Sequence, residues 1–292
     1  MALKEALEKG KFTVTSEMGP LKGTDTSELL ELAELLRGKI DAANVTDQQS
    51  AVMRLGSLAA SSLLVKEGLD PIFQMTCRDR NRIALQSDLL SAHVLGIKNI
   101  LAITGDFPTF GDHPDAKDVY DIDPVQLVWT IKRMNEGYDL SGTELQGNTD
   151  FFIGAVVTPV KDTEEGLELQ IMKMEKKIEA GARFFQTQAI YDVDVFERFM
   201  KRVEKFGVPV LAGIIPLKSA GMAKYMNKNV AGIFVPDHLI EEMANAEDKE
   251  ATGLNMAARL INDLKDLCQG VHIMAIGWEE KVPEILRLAG LS

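Results

Sequence analysis

Eight short apolar runs recur along this chain, and a longer stretch with helical spacing follows each of them. The runs fall at 12–16, 40–44, 71–76, 99–104, 151–157, 182–188, 208–215 and 271–276. The helical stretches fall at 27–37, 48–67, 81–95, 164–180, 193–206 and 281–288, with another opening at Asp123-Pro124 and running to 135. Helices fill most of 219–267, with a break near 232–236. Punctuation supports the boundaries: Gly68, Gly96, Gly181 and Gly207 sit where helices should stop, and Pro124 sits in a first turn. Strict β–α alternation argues for a parallel sheet, because each crossover helix returns the chain to the same edge. Eight units favour closure into a single (β/α)8 barrel, with extra helices before the eighth strand. The first strand and its loop lack GxGxxG, which weakens an open dinucleotide-binding sheet. No composition break divides the chain, so 1–292 is expected to be one domain.

Charge and composition then remove function classes. With 32 Lys+Arg against 44 Asp+Glu, the net charge of −12 argues against a nucleic-acid partner. Lys173, Lys176 and Lys177 form the densest basic cluster, but Glu175 and Glu179 interleave with them, as on a solvated helix face. Cys77 and Cys268 make no CxxC pair, and no His, Asp or Glu set has metal-ligand spacing. The N-terminus is charged throughout, and no apolar stretch approaches the roughly 18 residues that span a bilayer, so a cytoplasmic protein is expected.

In such barrels the chemistry sits at the carboxyl ends of the strands. Those positions hold Glu17, Asn44, Thr76, Thr104-Gly105-Asp106, Thr158-Pro159, Gln188, Pro216 and Gly277-Trp278. Glu17 and Asp106 are acid–base candidates, since a partly buried carboxyl can hold its proton near neutrality. The plainer alternative is that either one caps the following helix. No Lys ends a strand, no GxSxG elbow is present, and the four histidines are scattered, with His272 expected at the start of a strand, away from the mouth. A mouth of carboxylates, amides and hydroxyls, without metal or nucleophile, suits a cofactor that brings the hard chemistry.

The segments QMTCRDRNR (74–82), LAITGDFP (101–108), KKIEAGARFFQTQAIYD (176–192) and AGIIPL (212–217), in this order and spacing, resemble the methylenetetrahydrofolate reductase family, a flavin-containing barrel. The resemblance runs from about 12 to 291. It implies reduction of 5,10-methylenetetrahydrofolate to 5-methyltetrahydrofolate by hydride from a reduced flavin, FAD ahead of FMN. It places Glu17 on the family's general acid, which protonates folate N10. It places Asp106 on the aspartate that contacts the pterin and tunes the flavin, and Gln188 on the glutamine that hydrogen-bonds the pterin. It further implies flavin contacts from Asn44, Gln74, Thr76, Thr104, Gly105, Asp106, Tyr120 and Lys177.

This sequence departs from the enterobacterial pattern in four places. Thr104 and Gln74 stand where an Arg and a His occur there, and Ala220 stands near a folate-stacking Phe. Trp278 stands near an Arg and could offer an aromatic surface to the p-aminobenzoate ring. Simpler readings remain for three residues: Tyr120 and Trp278 as rim aromatics, and Lys177 as part of the solvated face. NAD(P)H or a protein donor would supply electrons, with a partner subunit or a homo-oligomer as the expected assembly. The alternatives are a pterin-binding methyltransferase barrel without flavin, and a reductase subunit active only within an electron-transfer complex.

Overall fold

A computed structural model describes residues 2–159 and 163–291. Eight parallel strands close into a barrel in sequence order: β1 (Thr13–Glu17), β2 (Ala42–Val45), β3 (Pro71–Thr76), β4 (Asn99–Ile103), β5 (Phe152–Val157), β6 (Phe184–Ala189), β7 (Val210–Ile214) and β8 (Gly270–Ile273). β8 pairs with β1 and completes the ring. Outside the strands lie α1 (Leu3–Glu8), α2 (Ser27–Leu36), α3 (Ser57–Lys66), α4 (Arg82–Val94), α5 (Pro124–Asn135), α6 (Glu164–Ala180), α7 (Val193–Val203), α8 (Ala220–Asn229), α9 (Asp237–Asn245), α10 (Lys249–Leu264) and α11 (Val282–Leu288). The expected (β/α)8 barrel is therefore present, and three helices, α8, α9 and α10, stand between β7 and β8, two more than the regular unit has.

Local chemistry sets the helix ends. Asp123 and Gln126 form a reciprocal capping box with Pro124 in the first turn of α5. The expected stop glycines adopt left-handed or similar positive-φ backbone, at +76° for Gly68, +86° for Gly96, +130° for Gly181 and +61° for Gly207.

Alternation along the strands sends one side-chain set outward to the helices and the other into the lumen. The outward set (Val14, Ala43, Phe73, Ile100, Phe185, Val210 and Val271 among others) joins the main core with the helices. The inward set divides by height. At the amino ends, Ala42, Ile72, Leu101, Phe184 and Leu211 form an apolar floor, which Leu3 and Leu7 of α1 plug from below. Phe184 stacks on Phe152 at 5.0 Å, and it fits because Gly154 opposite has no Cβ to collide with its ring. Higher up, the lumen turns polar, with Thr15, Asn44, Gln186 and His272 all buried.

Two expectations are corrected, and one element was not anticipated. The helix read over 48–67 begins only at Ser57; before it, residues 47–54 cross the mouth, with Gln48, Ser50 and Ala51 at φ of +50° to +57°. His272 lies inside the barrel, opposite Thr15 in the β1–β8 register, and not at the far end. The charged N-terminal stretch contains a helix that buries Leu3, Ala6 and Leu7. No helix among the described residues is long and apolar enough to cross a membrane.

Candidate active site at the barrel mouth

Glu17 is the last residue of β1, and its side chain is only 12% exposed. Burial pushes its carboxyl up to about 7, helped by the nearby Glu279 charge and opposed by a hydrogen bond from Gln49. That bond runs from Gln49 Nε2 to Glu17 Oε2 at 3.3 Å. Below, His272 Nε2 stands 4.0 Å from Glu17 Oε1. Burial drives the His272 ring down to about 3, so it is neutral near pH 7. Its Nδ1 pairs with Thr15 Oγ1 at 3.0 Å. Gln186 Nε2 donates to Thr15 Oγ1 at 3.2 Å and to Asn44 Oδ1 at 3.0 Å, and Asn44 Nδ2 returns a bond to Gln186 Oε1 at 2.7 Å. A chain of buried polar groups thus runs from β2 through β6 and β1 to β8, directly beneath the carboxyl.

Asp106 leaves β4, three strands round the barrel from β1, after Thr104 and Gly105. Gly105 has φ of +87°, and a Cβ there would stand 3.0–3.1 Å from Thr76 and Arg78, so only glycine lets this turn lie so close. Asp106 Oδ2 accepts from the Ser50 amide at 3.1 Å. Arg78, 2% exposed, donates to the Asp106 carbonyl at 3.1 Å and to the Gln48 carbonyl at 3.3 Å. Arg78 lies within the 74–82 motif, but its partners are 28 and 30 residues away, so this role has no local signal. Tyr120 Oη donates to the Gly105 carbonyl at 3.2 Å, and its ring meets Phe107 edge-on at 5.8 Å.

The other expected residues separate by place. Gln188 is half-buried at the end of β6, with Oε1 accepting from the Ala189 amide at 3.1 Å. Gln74 is buried on β3. Thr76 Oγ1 donates to Asp47 at 2.9 Å. Asn44 is fully buried and engaged with Gln186, so its amide lies in the lumen and not in the open mouth. Lys177 reaches in from α6 and donates to the Val156 carbonyl at 2.6 Å; burial chiefly, with the Lys173 charge, lowers its ammonium to about 8. It is therefore neither on a solvated face nor in the open mouth. Trp278 follows β8, and Lys218 Nζ stands 5.1 Å from its ring centroid. Thr46 was not anticipated: it is 2% exposed, and its Oγ1 lacks a hydrogen-bond partner within the chain. Among the described residues no cluster could hold a metal ion.

Solved structures share the fold, and curated proteins share sequence over most of the chain. A protein from Clostridium thermocellum, described as binding two copies of 5-methyl-5,6,7,8-tetrahydrofolic acid, superposes with a TM-score of 0.66 at 17% identity, covering 98% of this chain and 97% of that one. A 2,3-dimethylmalate lyase gives a TM-score of 0.51 at 12% identity, with 99% and 87% covered. Among curated proteins, a probable methylenetetrahydrofolate reductase (NADPH) of Caenorhabditis elegans is 25% identical over 262 residues, 86% of this chain but 36% of that protein. The 5,10-methylenetetrahydrofolate reductase of Salmonella typhimurium is 25% identical over 206 residues, 68% of this chain and 62% of that enzyme. The chain thus spans about a third of the Caenorhabditis relative and under two thirds of the bacterial one. The family model described as Methylenetetrahydrofolate reductase matches residues 2–290, nearly the whole sequence, and the chain therefore belongs to the methylenetetrahydrofolate reductase family.

Proposed function

We propose that this chain reduces 5,10-methylenetetrahydrofolate to 5-methyltetrahydrofolate, with a flavin held at the barrel mouth. The observation that carries the reading is the buried Glu17 carboxyl, poised near pH 7 at the end of β1, in a chain of this family. The relatives' names and the folate-binding neighbour support the substrate class.

The residues present fit a flavin. An isoalloxazine edge needs donors and acceptors in one plane and close backbone beside it. Thr46 offers a buried hydroxyl without a partner, and Gly105 keeps the 104–106 turn free of side-chain bulk. Thr46, Gly105, Asp106 and Tyr120 would hold the rings, with Thr104 and Gln74 beside them. Lys177 would contact a phosphate only by leaving Val156. When bound, the flavin supplies the hydride that the methylene carbon accepts.

The chain's own groups supply the rest. Glu17 gives its proton to folate N10, which opens the imidazolidine ring and makes the methylene carbon electrophilic. Before folate arrives, the Gln49 amide stands 3.3 Å from this carboxyl and the neutral His272 ring 4.0 Å from it. Asp106 places negative charge beside the cationic folate as it forms. Gln188 presents an amide, both donor and acceptor, to the pterin edge. Trp278 and the Lys218 ammonium above it offer a surface and a charge to the aromatic and anionic tail.

Absorption spectroscopy tests the reading. Purified protein should be yellow, bleach on reduction and recover its colour when methylenetetrahydrofolate is added. A colourless protein that neither FAD nor FMN reconstitutes would overturn it.

A second reading concerns the electron donor. Phe107 and Phe110, in the loop after β4, are 57% and 76% exposed, and Met53 and Ile276 at the same rim are also exposed. This apolar rim favours a protein donor docking at the mouth. Rapid NADH or NADPH oxidation by the isolated chain would remove that reading.

A further inference from the structure

Residues 47–54 form a strap that leaves β2 and crosses the mouth. Gln48, Ser50 and Ala51 take left-handed backbone at φ of +50°, +57° and +55°. Each costs on the order of 1–2 kcal/mol for a residue other than glycine. Contacts from other elements hold the strap in place. Ser50 N–H donates to Asp106 Oδ2 at 3.1 Å, Met53 N–H to Asp112 Oδ1 at 3.1 Å, and Arg78 Nη2 to the Gln48 carbonyl at 3.3 Å. Gly111 packs against Ala51 so closely that any Cβ would strike the Ala51 carbonyl. Within the strap, Gln48 and Arg54 exchange two bonds at 2.7 and 3.1 Å.

The consequence is a juxtaposition. Two adjacent residues of one strained segment touch the two carboxylates of the site: Gln49 touches Glu17, and Ser50 touches Asp106. We propose that Gln49 is a positioning residue that sets how tightly Glu17 holds its proton, and that Asp106 controls it by anchoring the strap. The inference rests on the reading of Glu17 as the proton donor.

The physical argument is direct. The Gln49 N–H bond favours the ionised carboxyl, so it makes Glu17 release its proton more readily. With Asp106 holding Ser50, Gln49 stays on Glu17. A folate whose pterin N–H groups claim Asp106 frees Ser50, and the strap's strain favours departure. Glu17 then holds its proton more firmly at the moment a proton donor is needed. The other groups around Glu17 do not move with the strap: His272 projects from β8, Glu279 lies in the turn after β8, and β2 presents the neutral Asn44. Asp47 begins the strap but is tied to Thr76, Ser57 and Arg80.

The test is a titration of Glu17 in the full-length protein as purified. Glutamate labelled with 13C at the carboxyl reports ionisation by NMR, and the Glu17 signal is identified by its loss in Glu17→Gln. Gln49→Ala should raise the Glu17 proton affinity roughly three- to tenfold, the worth of one hydrogen bond. Asp106→Ala should also raise it. That sign is diagnostic, because merely removing a nearby negative charge would lower it. The double variant should match Gln49→Ala alone, since both act through one contact. An unmoved signal in Gln49→Ala, or a lowered affinity in Asp106→Ala, overturns the coupling. Failure of the wild type to bind flavin or consume folate would instead overturn the functional reading and leave the titration interpretable.

Discussion

The floor of the barrel and the strap across its mouth are held in different ways, the first by apolar packing and the second by hydrogen bonds to a strained backbone. At the floor, Leu3 and Leu7 seat against Phe184, Leu211 and their neighbours, and the Leu3 amide and Asn99 are satisfied by Asp70. At the mouth, the strap rests on Asp106, Asp112 and Arg78 while holding three residues in left-handed conformation. Burial at the floor stabilises, whereas burial at the mouth destabilises a charge on Glu17 and leaves Thr46 Oγ1 without a partner. One end of the same cylinder is spent on stability, and the other holds groups that are uncomfortable until a ligand arrives.

The largest expected effect separates the ends by chemistry. Glu17→Gln should keep the flavin and its reduction by the donor, yet slow flavin re-oxidation by methylenetetrahydrofolate by about 10²–10⁴-fold, the usual worth of a positioned acid. Stopped-flow absorbance follows both half-reactions. Folate turnover at the wild-type rate would take the proton away from Glu17. The converse variant is Phe184→Ala. It should cost about 3–5 kcal/mol in urea unfolding, as expected for a fully buried ring that stacks on Phe152. The folded fraction should keep its folate rate. A comparable collapse of both properties would mean that floor and mouth are not separable.

Much of the floor and little of the strap is legible in the sequence, for a physical reason. Floor strands such as 71–76 carry β-branched and aromatic residues between glycine stops, and those signals are local. The strap holds neither glycine nor asparagine at its left-handed positions Gln48, Ser50 and Ala51, so periodicity extends the following helix through it. What fixes its shape is Asp106 and Asp112, more than 50 residues away in sequence. His272 is misplaced for a related reason. Which lumen layer a strand residue occupies depends on barrel stagger, a property of all eight strands together. The Asn44–Gln186 pair spans 142 residues and is equally silent locally. Glu17 was visible because it ends a strand, but its proximity to Gln49 and His272 was not.

Acidity offers a sharper comparison, because two buried groups of the upper lumen respond to pH with opposite signs. Glu17 holds its proton more tightly folded than unfolded, at about 7 against 4.5. Its contribution to stability is full below pH 4.5 and is lost as pH rises through 7, about 3 kcal/mol in all. His272 is lowered from 6.5 to about 3, so its contribution is full above 6.5 and is lost on acidification toward 3. Between 4.5 and 6.5 the two oppose each other. Subtracting the unfolding free energy of Glu17→Gln from that of the wild type isolates the first. That difference should be about 3 kcal/mol more favourable at pH 4 than at pH 8. A difference independent of pH would mean that the carboxyl is solvated. The folate half-reaction should decline over the same rise through pH 7, as the acid loses its proton.

The smallest expected effect lies at the outer rim, where the mouth meets solvent. Trp278 packs on α10, with its ring edge 3.3 Å from where a Cβ of Gly253 would stand, and so holds a fixed face under the Lys218 ammonium. On a chain of net charge −12, a cation held in place beside the opening is a local exception that would draw an anionic tail. It touches no reacting atom, so it should contribute equally to ground and transition states. Lys218→Ala is therefore expected to raise KM about three- to tenfold with kcat unchanged, roughly 1 kcal/mol of uniform binding. Added salt should shrink the difference, because the charge is half-exposed. Steady-state kinetics at two ionic strengths measures both quantities. A fall in kcat at constant KM would place Lys218 with Glu17 and Asp106 in the chemistry, and the boundary between rim and mouth would have to be redrawn.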